Sequence, residues 1–204
     1  GYQATRESRP KYFEDNALFL LPASNSEWVV VKGEGYIDIP DINSEPELIS
    51  SKLDFELESF KVGISEMQYL DYAFVHGITQ KFLKDETIEL TVRGRKRTPT
   101  FNYFVNNVEV QCRGVQTEVD GGYEGKGSLT LIEAKSSKIK NEIIRQLYFP
   151  FRKWSLDITK PVRNVFFQFE DTTKTLSFWE YGFENLNHYD SIYLIDSKKY
   201  RLTD

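Results

Sequence analysis

Four segments in the middle of the chain, residues 87–97, 101–105, 108–112 and 115–120, alternate apolar with polar positions, and residues 129–135 read as a short apolar strand. Period-two alternation gives a strand one apolar and one polar face, so a chain that spends its centre this way must pair those strands into a sheet and cover it. Helical spacing is confined to either side. Residues 65–83 place Met67, Leu70, Phe74, Ile78 and Phe82 on one helical face behind a capping Ser65, with Gly77 costing about 1 kcal/mol in the middle. Ile139, Ile143, Ile144 and Leu147 mark a second helix, which Pro150 is expected to end. Residues 27–40 read as a hairpin or two short strands, and Leu53, Phe55 and Leu57 alternate with acids as a half-buried strand. Glycine-rich residues 121–127 are expected to turn, and residues 162–170, 175–182 and 191–195 to add strands. The expected fold class is α/β, a central mixed β-sheet flanked by helices. Residues 1–11 read as an arm within an N-terminal β-rich extension over 1–60, and residues 61–204 as the core domain, the two forming either separate units or one continuous domain.

With 204 residues, 40% of them hydrophobic, the chain can bury a core without a disulfide or structural metal. The single cysteine, Cys112, excludes an internal disulfide, and with only His76 and His188 to join it the common Cys/His zinc sites are excluded as well. The longest apolar run, residues 17–22, is far short of a membrane span, and no basic-then-apolar leader opens the sequence, so a cytoplasmic protein with no membrane partner is expected. An opening of Gly1, Tyr2 and Gln3 without an initiator methionine reads as a fragment of a longer chain. The net charge of −5 hides an asymmetry. Residues 93–153 hold twelve Lys/Arg and six Asp/Glu, a net of +6, and the rest of the chain carries −11. One surface can thus draw in a polyanion while the others repel it.

The chemistry concentrates in residues 116–135, QTEVDGGYEGKGSLTLIEAK. Alternation sets Gln116, Glu118 and Asp120 on one side of their strand, and Glu133 with Lys135 on one side of the next. If the two strands form a hairpin, Asp120 and Glu133 meet at one end with Lys135 beside them. Facing carboxylates repel unless a cation lies between them, and an oxygen-rich donor set suits Mg²⁺ far better than zinc.

Asp120, a loop, then Glu133-Ala134-Lys135 closing an apolar strand ahead of a helix resembles the PD-(D/E)xK nuclease superfamily, and most of all its type II restriction endonucleases. The resemblance covers residues 115–154, about a quarter of the chain. It implies a restriction-endonuclease-like core and a Mg²⁺-dependent endonuclease acting on double-stranded DNA as a homodimer. In that family Asp120 and Glu133 would bind Mg²⁺, the Ala134 carbonyl would be a further ligand, Lys135 would orient or activate the attacking water, and Gln146 would match a supporting glutamine on the following helix. Val119 stands where the family's proline would be, and Glu118 is a possible additional acid. Glu66 and Asp71 on the first helix are further acids that could reach the site. Two other (D/E)xK triplets fit less well: Glu124-Gly125-Lys126 lies in the glycine-rich stretch, and Asp196-Ser197-Lys198 leaves no room for the elements that follow the motif.

Cations cluster near these residues. Arg93, Arg95, Lys96 and Arg97 fall within five positions, and Lys138 and Arg145 follow the motif, all candidate DNA contacts because arginine forks match phosphate oxygens. The aromatic residues Tyr148, Phe149, Phe151 and Trp154 read as core packing. His76 reads as a partly buried histidine, His188 as surface, and Cys112 has no partner base for nucleophilic chemistry. Two other classes remain open: a non-cleaving nucleic-acid-binding module of the same fold, and a protein-interaction domain with a basic face.

Overall fold

The structure, a computed structural model, describes residues 3–62 and 65–203. The first two residues of the expected arm lie outside them. In chain order the elements begin with α1 (Lys11–Asp15), β1 (Leu18–Pro22), β2 (Trp28–Lys32), β3 (Tyr36–Asp38), β4 (Glu47–Ile49), α2 (Glu66–Val75) and α3 (Ile78–Leu83). The central strands are β5 (Glu89–Arg97), β6 (Phe101–Val105), β7 (Val108–Cys112), β8 (Gln116–Glu124), β9 (Leu129–Lys135) and β10 (Asn141–Ile143). After them come α4 (Arg145–Asp157), β11 (Val162–Glu170), β12 (Thr175–Phe183) and β13 (Ile192–Leu202). Among the described residues a seven-stranded mixed sheet runs in the order β4-β13-β12-β11-β9-β8-β5. Only β9 with β11 and β13 with β4 are parallel. The protein is therefore mixed α/β, with few helices.

Helices cover both faces of this sheet. Ile132, Ala134, Phe167 and Phe178 pack on Tyr69, Leu70 and Ala73 of α2 and Ile78 and Phe82 of α3. Alternate positions Leu129 and Leu131 turn the other way, toward Trp154 of α4. Phe166 and Phe167 illustrate the pattern: neighbours on one strand, fully buried on opposite faces, each burial contributing roughly 1.5–3 kcal/mol. A further layer, the β1–β2 and β6–β7 hairpins, closes over the outer side of α4 with Phe19, Leu21, Tyr103 and Cys112. Six consecutive residues of α4, Leu147 to Arg152, are buried as a result.

That sandwich explains why Pro150 does not end the helix. It removes one hydrogen bond, the one to the Gln146 carbonyl, yet α4 continues seven residues further because sheet and hairpins hold it on all sides. The expected helix start fails too. Asn141–Ile143 is extended and pairs with β3, and only Leu147 of the four predicted positions lies in α4.

The first helix departs from expectation at Gly77, whose left-handed φ of +80° splits it into α2 and α3. Ser65 caps it as expected, accepting from the Gln68 backbone N–H at 3.1 Å, but Met67 faces solvent and Tyr69, Leu70 and Ala73 form the buried stripe. Residues 53–57 form no strand: Phe55 is exposed and the acids around it give nothing to pair with. Residues 121–124, read as a turn, continue β8, and the reversal falls at 125–128. A Cβ at Gly122 would come within 2.6 Å of the Val92 Cβ, so glycine there permits close strand packing rather than a turn. The strand read at 191–195 runs on to Leu202.

Residues 3–8 are not a loose arm. Gln3 is buried, the Ala4 carbonyl accepts from the Ile143 N–H at 2.8 Å, and the Arg6 N–H donates to the Asn141 side chain at 2.7 Å. The 1–60 stretch also supplies β3 to β10 and β4 to the main sheet. Among the described residues no helix is long and apolar enough to cross a membrane.

Candidate active site

The β8–β9 hairpin, with Gly121 opposite Ile132, carries Asp120 to a position alongside Glu133. Between the pairs Val92–Gly122 and Gly94–Val119, β8 holds one residue more than β5. This bulge at Asp120 and Gly121 re-aims the Asp120 carboxylate, and its Oδ2 accepts from the Ala134 N–H at 2.8 Å. Glu133 is buried, and its Oε1 accepts from Lys135 Nζ at 2.5 Å and from Gln146 Nε2 at 3.1 Å. Parallel strands β9 and β11 flank the α4 crossover, so this group lies at the carboxyl end of β9, reached by Gln146 from the first turn of α4. Asp120, Glu133, Ala134, Lys135 and Gln146 are thus brought together.

A further acid joins them that the sequence did not single out. Glu142 on β10 is 1% exposed, its Oε2 lies 3.8 Å from Lys135 Nζ, and neither carboxylate oxygen has a hydrogen-bond partner among the described residues. The only hint was an acid set within the apolar run around Ile139 and Ile143, hidden by reading that run as a helix. Glu118 is half exposed and takes Arg95 at 3.2 Å, although it borders, with Glu133 and Gln146, a void of about 10 Å³, the size of one water.

Burial pushes the Glu133 carboxyl up to about 8, with Lys135 opposing and Asp120 reinforcing the rise. Burial likewise raises Glu142 to about 7 against the pull of Lys135 and Arg145. Asp120 is raised by burial too, although the Ala134 N–H and Lys135 hold it back. Three carboxyls around one ammonium are short of positive charge, and a divalent cation would relieve them. Among the described residues no three His, Cys, Asp or Glu side chains converge as a metal shell.

The basic candidates separate. Arg93 is only part-exposed: its guanidinium meets Asp71 at 2.5 Å and donates to the Asp120 carbonyl at 3.0 Å, bracing α2 and β5 against the motif strand. Arg95 is exposed beside Glu118, Lys96 is exposed, and Arg97 donates to the Asn25 side chain and the Gly114 carbonyl, both at 3.0 Å. Lys138 pairs with Asp41 at 2.6 Å, and Arg145 lies over the Trp28 ring at 5.5 Å. Asp71 thus serves Arg93, whereas Glu66 acts on Asp120 and Glu142 only through its charge. His76 is buried with Nδ1 2.6 Å from Ser51 Oγ, and burial raises the Cys112 thiol, so neither is a free base or nucleophile.

The family model described as Domain of unknown function (DUF6997) matches residues 31–201. No curated protein and no solved structure matches the chain.

Proposed function

We propose that this chain, which belongs to that domain family, is a Mg²⁺-dependent endonuclease of PD-(D/E)xK type that hydrolyses DNA phosphodiester bonds. The observation that carries the reading is the convergence of Asp120, Glu133 and Lys135 at one strand end, with Gln146 on Glu133. Asp120, Glu133 and the Ala134 carbonyl would hold Mg²⁺, which when bound supplies Lewis-acid stabilisation of charge on the phosphate. Lys135 would hold the attacking water by hydrogen bond in line with the leaving 3′ oxygen and balance the charge on the phosphorane oxygens, the water giving its proton to solvent as the new P–O bond forms and the P–O3′ bond breaks, and the 3′ oxygen taking one from a solvent water. Gln146 keeps the Glu133 carboxylate in place. The Ala134 N–H does the same for Asp120, and Arg93 fixes the backbone of Asp120 from behind. Exposed Arg95, Lys96 and Lys138 supply phosphate contacts along the duplex, and two chains related by a two-fold axis would cut both strands.

The test is incubation with plasmid DNA and Mg²⁺ against an EDTA control. Discrete bands or a smear that EDTA removes support the reading. Salt-dependent DNA binding without products would replace it by a non-cleaving nucleic-acid module, and no DNA affinity at low salt would leave a protein-interaction domain.

A further inference from the structure

Strand β2 turns three side chains outward that lie outside the core beneath it. The Trp28 indole is 50% exposed, Val30 is 56% exposed and Lys32 is exposed, whereas Val31 between the last two is buried under the hairpin. Period-two alternation thus sets an indole, an apolar side chain and an ammonium on one solvent face. The indole also stands at the border of the candidate site. The Arg145 guanidinium carbon lies 5.5 Å from its ring centroid, within cation–π range, and the next residue, Gln146, donates to Glu133 at 3.1 Å. The turn before Trp28 reaches the other way, to the basic end of β5, where the Asn25 side chain accepts from Arg97 at 3.0 Å. One line of contacts therefore runs from Arg97 through the β1–β2 turn and Trp28 to Arg145, beside the catalytic carboxylate.

The charge along this line is positive. Glu27, the acid of the turn, is paired with Arg113 at 3.1 Å, whereas Arg97 gives its hydrogen bonds to neutral groups and Lys32 and Lys96 form no ion pair among the described residues. A half-open ring framed by unneutralised cations fits a ligand that repeats a π face and an anion together, and a nucleotide chain does so: the ring takes a base and the cations take the flanking phosphates. A polyanion without bases would match the charge and leave the ring unused. We propose that Trp28 stacks on a nucleobase of bound DNA beside the scissile phosphate, entering a base step as an aromatic wedge braced by Arg145, with Arg97 and Lys32 on neighbouring phosphates. The placement beside the scissile phosphate rests on the nuclease reading, and the stacking does not.

The experiment needs no cleavage. The full chain in EDTA at low salt is titrated with a fluorescein-labelled duplex, read by anisotropy, and separately with unlabelled duplex and with heparin, read by tryptophan emission. The Trp28 contribution is the emission of the parent less that of Trp28→Phe, in which Trp154 and Trp179 remain. DNA is expected to quench that contribution saturably. Heparin, which carries the charge without bases, should compete for the chain and leave it unchanged. Trp28→Ala should bind the duplex about tenfold more weakly, the worth of one base–aromatic stack, and Trp28→Phe, which keeps a ring, within about threefold of the parent. Should Trp28→Ala not fold, the quench by DNA against heparin still decides. Trp28 emission unchanged by DNA, an equal quench by heparin, Trp28→Ala binding with the parent's affinity, or a parent chain that binds no duplex would overturn the proposal. A chain whose Trp28 is quenched by DNA but which yields no products with Mg²⁺ overturns the nuclease reading alone, and one that cuts plasmid with Trp28 emission unchanged overturns the stacking alone.

Discussion

Lys135 and Glu142 show what single side chains decide here. The ammonium stands 2.5 Å from Glu133 and 3.8 Å from Glu142, where it offsets two carboxyls raised by burial, helped at Glu142 by Arg145. Lys135→Ala is expected to lower plasmid cleavage by about 10²–10³-fold or more, the cost of losing one transition-state donor, while gel-shift affinity for DNA stays near that of the parent. Full cleavage by that variant would remove the assignment. Glu142 predicts a pH dependence whose sign follows from its raised pKa. An acid that holds its proton more tightly when folded stabilises most below its unfolded value of 4.5, and that stability is lost as pH rises through about 7. Without divalent cation, the melting temperature should therefore fall between about pH 5 and pH 8, and the fall should be smaller in Glu142→Gln. A melting temperature that rises over that range would contradict the burial of this group.

At the scale of elements, Gly77 and Pro150 make opposite points. Propensity alone says that Gly77→Ala should stabilise a helix by about 1 kcal/mol. The left-handed φ of +80° reverses the sign, while the approach of the added Cβ to Lys52 is relieved by moving that flexible side chain. Denaturant melts of Gly77→Ala should show a loss of about 1–2 kcal/mol. A gain would restore the continuous helix that Met67, Leu70, Phe74, Ile78 and Phe82 predict. Pro150, by contrast, sits within a helix because burial on every side outweighs one missing hydrogen bond. The strands were the most legible elements. Residues 101–105 and 108–112 were read to the residue because alternation is a local property and their surroundings agree with it, and residues 129–135 because a short apolar run suits a central strand buried on both faces. Residues 53–57 alternate as well, yet form no strand, since alternation cannot supply a partner edge.

For the whole molecule, the N-terminal residues turn out to belong to the site's support. Residues 3–8 dock on β10, the strand that carries Glu142, through Ala4 and Arg6. Removing residues 1–9 should lower the melting temperature by several degrees, at roughly 2–4 °C per kcal/mol for a chain of this size, and weaken cleavage with it. An unchanged melting temperature would return this segment to the arm that its charges suggested. The residues alone determined the run of strands, the basic middle of the chain and the candidacy of Asp120, Glu133 and Lys135, because spacing along a strand fixes which side chains share a face, whereas Gln146 was a candidate only through the nuclease resemblance. Tertiary structure alone decided that Glu142 joins them, that Arg93 turns inward to Asp71 and that Arg145 meets the Trp28 ring. Those outcomes depend on which distant segments meet and on how deeply they exclude water, and neither is encoded in local periodicity.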